Sequence, residues 1–350
     1  MTAVAVVLPP GVDDPGRVSG GNRYDRRVCD GLRGCGWTVE ELTAPGSWPH
    51  PDPGARAALG RTLDDLPDGA VVLVDGLIAS AAAAVLVPRS ARLRLVVLVH
   101  LPLGGAEVPA GEEEAVLGAA RAVVATSGWT RDHLLAHYRL DPAAVHVARP
   151  GTDPAGAAPT SPSGGRLLCV AALTPIKGQD LLVEALAALT ELPWTCRLVG
   201  PLDRDGEFVA ALRRRVEAAG IADRVELPGV AAGAALEREY RTADVLVVPS
   251  RVETFGMVVP EALAAALPVV ATAVGGLPEA VGCTPTGRPG LLVPGPDPAA
   301  LAEALRCWLT DPELRARLRD AARLRRGTLP GWSETTERLG TVLAAVGGRP

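Results

Sequence analysis

The sequence predicts an α/β protein made of two parallel-sheet, doubly wound domains. Short apolar runs alternate with helix-period segments along its 350 residues. That rhythm breaks once, between 150 and 165, in a stretch rich in Pro, Gly, Ser and Thr, and then restarts. The length itself suits two domains of ordinary size. A hydrophobic content of 48% supports sizeable cores, and with aromatics at 3% those cores must be built from Val, Leu and Ala.

In the first half, runs at 3–8, 71–75, 93–100, 122–125 and 145–147 are apolar almost throughout, as strands covered on both faces should be. Segments 24–33, 56–63, 112–119 and 130–138 space their apolar residues as helices do. After the linker, strands are expected at 166–172, 195–199, 224–226, 245–248, 268–271 and 290–293. Helices are expected between them at 180–189, 207–219, 234–241, 259–266 and 299–309. The chain ends in helical patterns at 313–325 and 333–346, separated by a break from Gly327 to Gly331. Two such domains facing each other would place a cleft at the carboxyl ends of both sheets, where doubly wound folds bind ligands.

Composition excludes several roles. A net charge of −5 and an isoelectric point near 5.7 argue against nucleic acid as the main partner. No apolar run approaches the ~20 residues of a membrane span. The first strand lacks the basic flank of a signal peptide. The six cysteines show no CxxC or metal-ligand spacing and read as reduced and structural, so the expected location is cytoplasmic. No cysteine-based metal site is expected, and no cofactor.

Lysine occurs once among 35 basic residues, at Lys177. In a chain that has drifted this far toward arginine, a surviving lysine can mark a need for a compact point charge on a flexible stem. Lys177 follows the run 167–173 in Thr174-Pro175-Ile176-Lys177-Gly178, ahead of a helix. Strand, glycine-bearing loop and helix start are where α/β proteins hold phosphate. A second segment, Ser250-Arg251-Val252-Glu253-Thr254-Phe255-Gly256-Met257-Val258-Val259-Pro260-Glu261, also follows a buried strand. Glu253 in its loop and Glu261 one turn into a helix can bind hydroxyls while Gly256 lets amides approach an anion. That combination suits a sugar nucleotide. Asn22 is the only asparagine and either binds an oxygen atom of the ligand or caps the helix near Tyr24. Arg23, Arg26, Arg27 and Arg33 give that helix a basic face. It reads as solvated and balanced by Asp25 and Asp30, with an anionic acceptor or peripheral membrane contact as the alternative.

These motifs resemble the family 4 glycosyltransferases of GT-B type over nearly the whole chain. The likeness is carried by Gly20-Gly21, Arg149-Pro150-Gly151-Thr152-Asp153, the Lys177 loop, Ala243 to Ser250, the Glu253/Glu261 pair and Gly275-Gly276-Leu277-Pro278-Glu279. The resemblance implies two Rossmann-like domains facing a central cleft. Residues 1–155 would form the acceptor side and 156–326 the nucleotide-sugar side, with 327–350 crossing back. It implies a retaining, metal-independent transfer of a hexose or hexosamine from a UDP or GDP type donor to a small-molecule, glycan or lipid-linked acceptor. Lys177 would neutralise the diphosphate, Glu261 would hold the ribose, and Glu253 would hold the transferred sugar. The amides of Phe255, Gly256, Met257 and Val258 would lie beside that sugar, Gly20 and Gly21 would close on the phosphates, and His100 would contact the donor sugar.

The chain departs from the family at two places. Ala172 stands where an arginine usually joins the lysine, so Arg251 is expected to supply the missing cation, with Arg23 next. Ala266 stands where glycine is common, which reads as packing only. Alternative readings are a non-catalytic nucleotide-binding subunit and a transferase acting on a non-sugar acceptor.

Overall fold

The structure is a computed structural model describing residues 2–14, 19–159 and 161–348. The chain divides into two compact units, Met1–Gly151 with Pro330–Pro350, and Thr152–Leu329.

The first unit runs β1 (Ala3–Leu8), α1 (Gly20–Gly34), β2 (Thr38–Thr43), α2 (Pro53–Asp64), β3 (Val71–Asp75), α3 (Gly76–Ala79), α4 (Ala83–Arg89), β4 (Arg94–Val99), α5 (Ala110–Ala119), β5 (Ala122–Ala125), α6 (Gly128–His137) and β6 (Val145–Val147). The six strands pair in parallel in the order β2-β1-β3-β4-β5-β6. The direction of winding reverses between β1 and β3, so the ligand-binding crevice of such a sheet lies at their carboxyl ends. Strand β3 is buried along its length, as its unbroken VVLVD run requires.

Helices α3 and α4, strand β2 and the start of α1 depart from the sequence reading. Strand β2 was absent from it because Thr-Val-Glu-Glu-Leu-Thr is a half-exposed edge strand with too few apolar residues to announce itself. Helix α1 starts at Gly20, not near Tyr24. Ser19 Oγ accepts the Asn22 amide at 3.0 Å, so Ser19 is the cap and Asn22 is not. Gly20 and Gly21 therefore form the first helical turn instead of a loop.

The second unit runs β7 (Arg166–Val170), α7 (Gln179–Ala187), β8 (Thr195–Val199), α8 (Gly206–Ala218), β9 (Val225–Gly229), α9 (Ala234–Thr242), β10 (Val245–Val248), α10 (Val258–Ala264), β11 (Val269–Thr272), α11 (Leu277–Val281), β12 (Gly290–Val293), α12 (Pro298–Thr310) and α13 (Pro312–Arg326). Its parallel sheet has the order β12-β11-β10-β7-β8-β9, which reverses between β7 and β10. Buried Asp244 accepts from the Ser161 hydroxyl at 2.6 Å and pairs with Arg166 at 2.9 Å, tying the end of the linker to the sheet. Ala266 has φ +56°, the one positive φ on a non-glycine residue among those described. The position asks for a left-handed backbone, so the sequence reading of Ala266 as packing only is corrected.

The last helix, α14 (Trp332–Gly347), belongs to the first unit. Its Leu339 and Leu343 are fully buried in the cluster that holds Leu32 of α1. A Cβ on Gly31 would collide with Thr336, so this glycine sets how closely the two helices approach.

Candidate functional site

In the second unit, the segments singled out by sequence flank the switch point: Lys177 follows β7 and Glu253 follows β10. Residues Pro175–Lys177 form a single 3-10 turn closed by Gly178 at φ +70°. A Cβ at Gly178 would strike the carbonyl of Pro249, so only glycine lets this turn lie against the end of β10. Lys177 Nζ then donates to Glu253 Oε2 at 2.6 Å. The pair is accessible but sheltered, at 26% and 14% side-chain exposure. One of the three ammonium donors is used and two remain to meet an anion.

The Glu253 loop is fixed from behind. Gly276 donates its amide to the Glu253 carbonyl at 2.9 Å. Side chains at Gly275 or Gly276 would overlap the backbone of Glu253 and Thr254. Gly256, at φ +82°, faces Leu277. Phe255 is buried in the core, so any contact it makes is through its backbone, while Met257 and Val258 are half-buried. Glu261 lies in the first turn of α10 and accepts from the hydroxyl of buried Tyr240 at 2.8 Å. Tyr240 was not anticipated, because it is brought to Glu261 from α9 by tertiary packing.

The expectation that Arg251 supplies a free cation is corrected. Its guanidinium grips both carboxylate oxygens of Asp180 at 2.7 Å and also donates to the Pro175 carbonyl at 2.6 Å. The Arg251 amide donates to Ile176 at 2.8 Å. Burial opposes charge on Asp180, but the Arg251 hydrogen bonds hold its carboxyl below the usual range. Arg251 thus clamps the lysine turn to α7. At Ala172 the carbonyl accepts from Gln179 Nε2 at 3.0 Å.

In the first unit, the carboxyl ends of β3 and β4 assemble a cluster that sequence reading found only in part. His100 Nε2 lies 2.8 Å from Asp25 Oδ1 and 3.8 Å from Asp75 Oδ2. Asp25 is 2% exposed, which corrects its reading as a solvated counter-charge on a basic helix face. Asp30 does balance the face, pairing with Arg33 at 3.5 Å, and Asp13 and Glu41 share that role by pairing with Arg26. Asp75 caps α3 through the Leu77 amide at 2.6 Å. Tyr24 sets its ring edge against His100, with centroids 5.1 Å apart, and donates its hydroxyl to Ala148 at 2.9 Å. A Cβ on Gly21 would sit 3.3 Å from His100 Cδ2. Burial pushes the Asp25 carboxyl up to about 7 and Asp75 well above its usual range, the latter with a contribution from the Asp25 charge. Burial also lowers His100. Each of the three offers one potential metal-donor atom within 4.8 Å of the others, and the 2.8 Å approach is that of a direct hydrogen bond.

The loop after His100 hangs on Glu113, another residue the sequence did not mark. Its buried carboxylate accepts from Ser80 Oγ at 2.6 Å, the amides of Leu103 and Gly104 at 3.0 and 2.7 Å, and Tyr138 OH at 2.5 Å.

The chain is similar to known proteins in sequence and in fold. The family described as glycosyl transferases group 1 matches residues 161–325. The chain is 39% identical over 261 residues to a D-inositol 3-phosphate glycosyltransferase of Kineococcus radiotolerans, spanning 67% of this chain and 60% of that one. It is 36% identical over 302 residues to D-inositol 3-phosphate glycosyltransferase 1 of Catenulispora acidiphila, spanning 79% and 71%. Among solved structures, a sucrose-phosphate synthase from Thermosynechococcus elongatus superposes with a TM-score of 0.80 at 23% identity, over 98% of both chains. Anabaena HepE, solved with UDP and glucose, gives 0.75 at 19% identity, over 99% of this chain and all of that one. These structural matches establish the fold as GT-B, with two Rossmann-like units. The sequence match to the Catenulispora protein covers most of both chains, and the chain therefore belongs to glycosyltransferase family 4.

Proposed function

We propose that the protein transfers a hexose or hexosamine from a UDP or GDP type donor to a hydroxyl acceptor, with retention and without a metal ion. The observation that carries this reading is the Lys177–Glu253 pair at the β7/β10 switch point. The two remaining Lys177 donors would take diphosphate oxygens while Glu253, steadied by the same ammonium, accepts sugar hydroxyls. Charge on the leaving diphosphate would be stabilised by Lys177 and by the amides of Phe255, Gly256, Met257 and Val258. Glu261, oriented by Tyr240, would hold the ribose. Arg251 would act through the lysine turn it clamps, and not on the donor. In the first unit, His100 would contact the donor sugar and Gly20 and Gly21 would permit close approach of the phosphates.

The proposed location is cytoplasmic, and among the described residues no helix is long and apolar enough to cross a membrane. The names of the curated relatives make D-inositol 3-phosphate the first acceptor to try. Ala172 favours a second reading, a nucleotide-binding subunit without turnover, because one diphosphate charge lacks the family's arginine. Thermal-shift titration with UDP, GDP and ADP, followed by hydrolysis of the matching hexose and N-acetylhexosamine donors, separates the two. Stabilisation with turnover supports the transferase. Stabilisation without turnover of any donor supports the subunit, and no response to any nucleotide rejects both.

A further inference from the structure

The His100 cluster contains one unsolved hydrogen-bond problem. Asp25 Oδ2 is buried and has no partner. Its sister Oδ1 is taken by His100 Nε2 at 2.8 Å, and Asp75 Oδ1 is taken by the Leu77 amide at 2.6 Å. That leaves Asp25 Oδ2 and Asp75 Oδ2, two acceptors with no hydrogen between them, on residues only 2% and 5% exposed. Two buried carboxylates this close cannot both stay ionised, and a single proton shared between them removes the repulsion.

We propose that Asp75 is a neutral carboxylic acid donating from Oδ2 to Asp25 Oδ2, that Asp25 is the single anion of the cluster, and that it fixes His100 as the Nε2–H tautomer. His100 Nδ1 is then a bare acceptor, suited to the hydroxyl proton of a bound sugar and unable to donate. Asp25 and Asp75 are positioning residues that act through the imidazole. Every charged neighbour fits this state. Arg26 is engaged by Asp13 and Glu41 and bears on Asp25 only from a distance. Tyr24 keeps its proton on Ala148, far above the titration range. The low affinity of buried His100 for a second proton follows from the same burial. The sugar hydroxyl as the occupant of Nδ1 rests on the functional reading above; the tautomer does not.

The test is ¹⁵N–¹H correlation of the imidazole rings in the full-length, ¹⁵N-labelled protein at pH 7.5. The chain has five histidines, and the His100 signals are those missing from His100→Gln. The expected result is a neutral ring with a pyridine-like Nδ1 and a pyrrole-like Nε2. Asp75→Asn should retain that pattern, because its amide can donate to the same Asp25 oxygen. Asp25→Ala should release the ring to a mixture of tautomers. An imidazolium or an Nδ1–H ring in the wild type overturns the proposal, as does selective broadening of the His100 signals by Mn²⁺, which would mean that a cation occupies the cluster. With His100 assigned, the wild-type spectrum decides even if Asp75→Asn or Asp25→Ala fails to fold. The expected tautomer in a protein that turns over no nucleotide sugar would sink the functional reading and leave this assignment standing.

Discussion

The two switch points handle charge in opposite ways. At the β7/β10 crevice, opposite charges meet: Lys177 holds Glu253 at 2.6 Å with both partly accessible. At the β1/β3 crevice, two carboxyls and an imidazole are packed together, and both carboxyls are buried. An opposite pair in reach of solvent stays ionised and can trade partners with an incoming anion. A like pair out of reach of solvent must take up a proton, and becomes a fixed hydrogen-bonding template. The first arrangement keeps its charges and the second becomes a fixed hydrogen-bonding pattern.

The largest effect should come from the first of these. Lys177→Ala is expected to keep the fold and lower turnover by ~10²- to 10³-fold, the usual cost of one electrostatic contact to the transition state. Lys177→Arg should also be impaired, since the planar fork cannot occupy the turn as a compact ammonium does. Steady-state kinetics on donor hydrolysis reads both, and full activity in the arginine variant would remove the case for a point charge.

Next comes the clamp behind that lysine. Arg251→Ala should raise the Kd for nucleoside diphosphate by roughly tenfold, because the turn that aims Lys177 loses its charge-assisted bonds to Asp180 and Pro175. If Arg251 works only by gripping Asp180, then Asp180→Ala and the double variant should cost no more than Arg251→Ala alone. Additive losses by calorimetry would instead place Arg251 on the donor.

Glu261→Gln should weaken free nucleoside diphosphate by about tenfold, while Glu253→Gln should chiefly lower turnover with the intact donor. Unchanged nucleotide affinity in Glu261→Gln would end its ribose assignment.

The first unit is separable by pH. The Asp25 carboxyl titrates near 4 when unfolded and at about 7 when folded. Folding therefore favours the protonated form, and the stability from this site is full below about 4 and lost as pH rises to about 7. His100 works the other way. Its lowered value contributes stability that is present above ~6.5 and lost as pH falls. The stability of the wild type relative to Asp25→Asn should therefore fall between pH 5 and 7 in urea unfolding. A difference that grows with pH over that window would contradict the buried acid pair.

The smallest effect concerns the backbone alone. Ala266→Gly should stabilise the second unit by roughly 0.5–1 kcal/mol, because Ala266 holds a left-handed φ. No change in thermal midpoint would mean the strain is absorbed elsewhere.

Much of this molecule could be read from its chain because parallel strands buried on both faces are nearly uninterrupted Val, Leu and Ala. Strand β3 is the clear case, and edge strand β2 shows how the signal fades once half the residues face water. Lys177 and Glu253 were legible because each follows such a strand directly. Asp25 was misread because an aspartate among arginines on a helix looks solvated until the partner across the fold is known.

Local chain chemistry therefore determined which segments become strands, where the linker falls, and that a lone lysine and paired glutamates end up beside strand ends. The tertiary structure alone decided what those side chains meet. Asp25 and His100 are 75 residues apart, as Arg251 and Asp180 are 71 apart. Whether a carboxylate is a solvated charge, a clamp or a buried acid depends on the dielectric and the partner it acquires on folding. Neither quantity is written in the residues next to it.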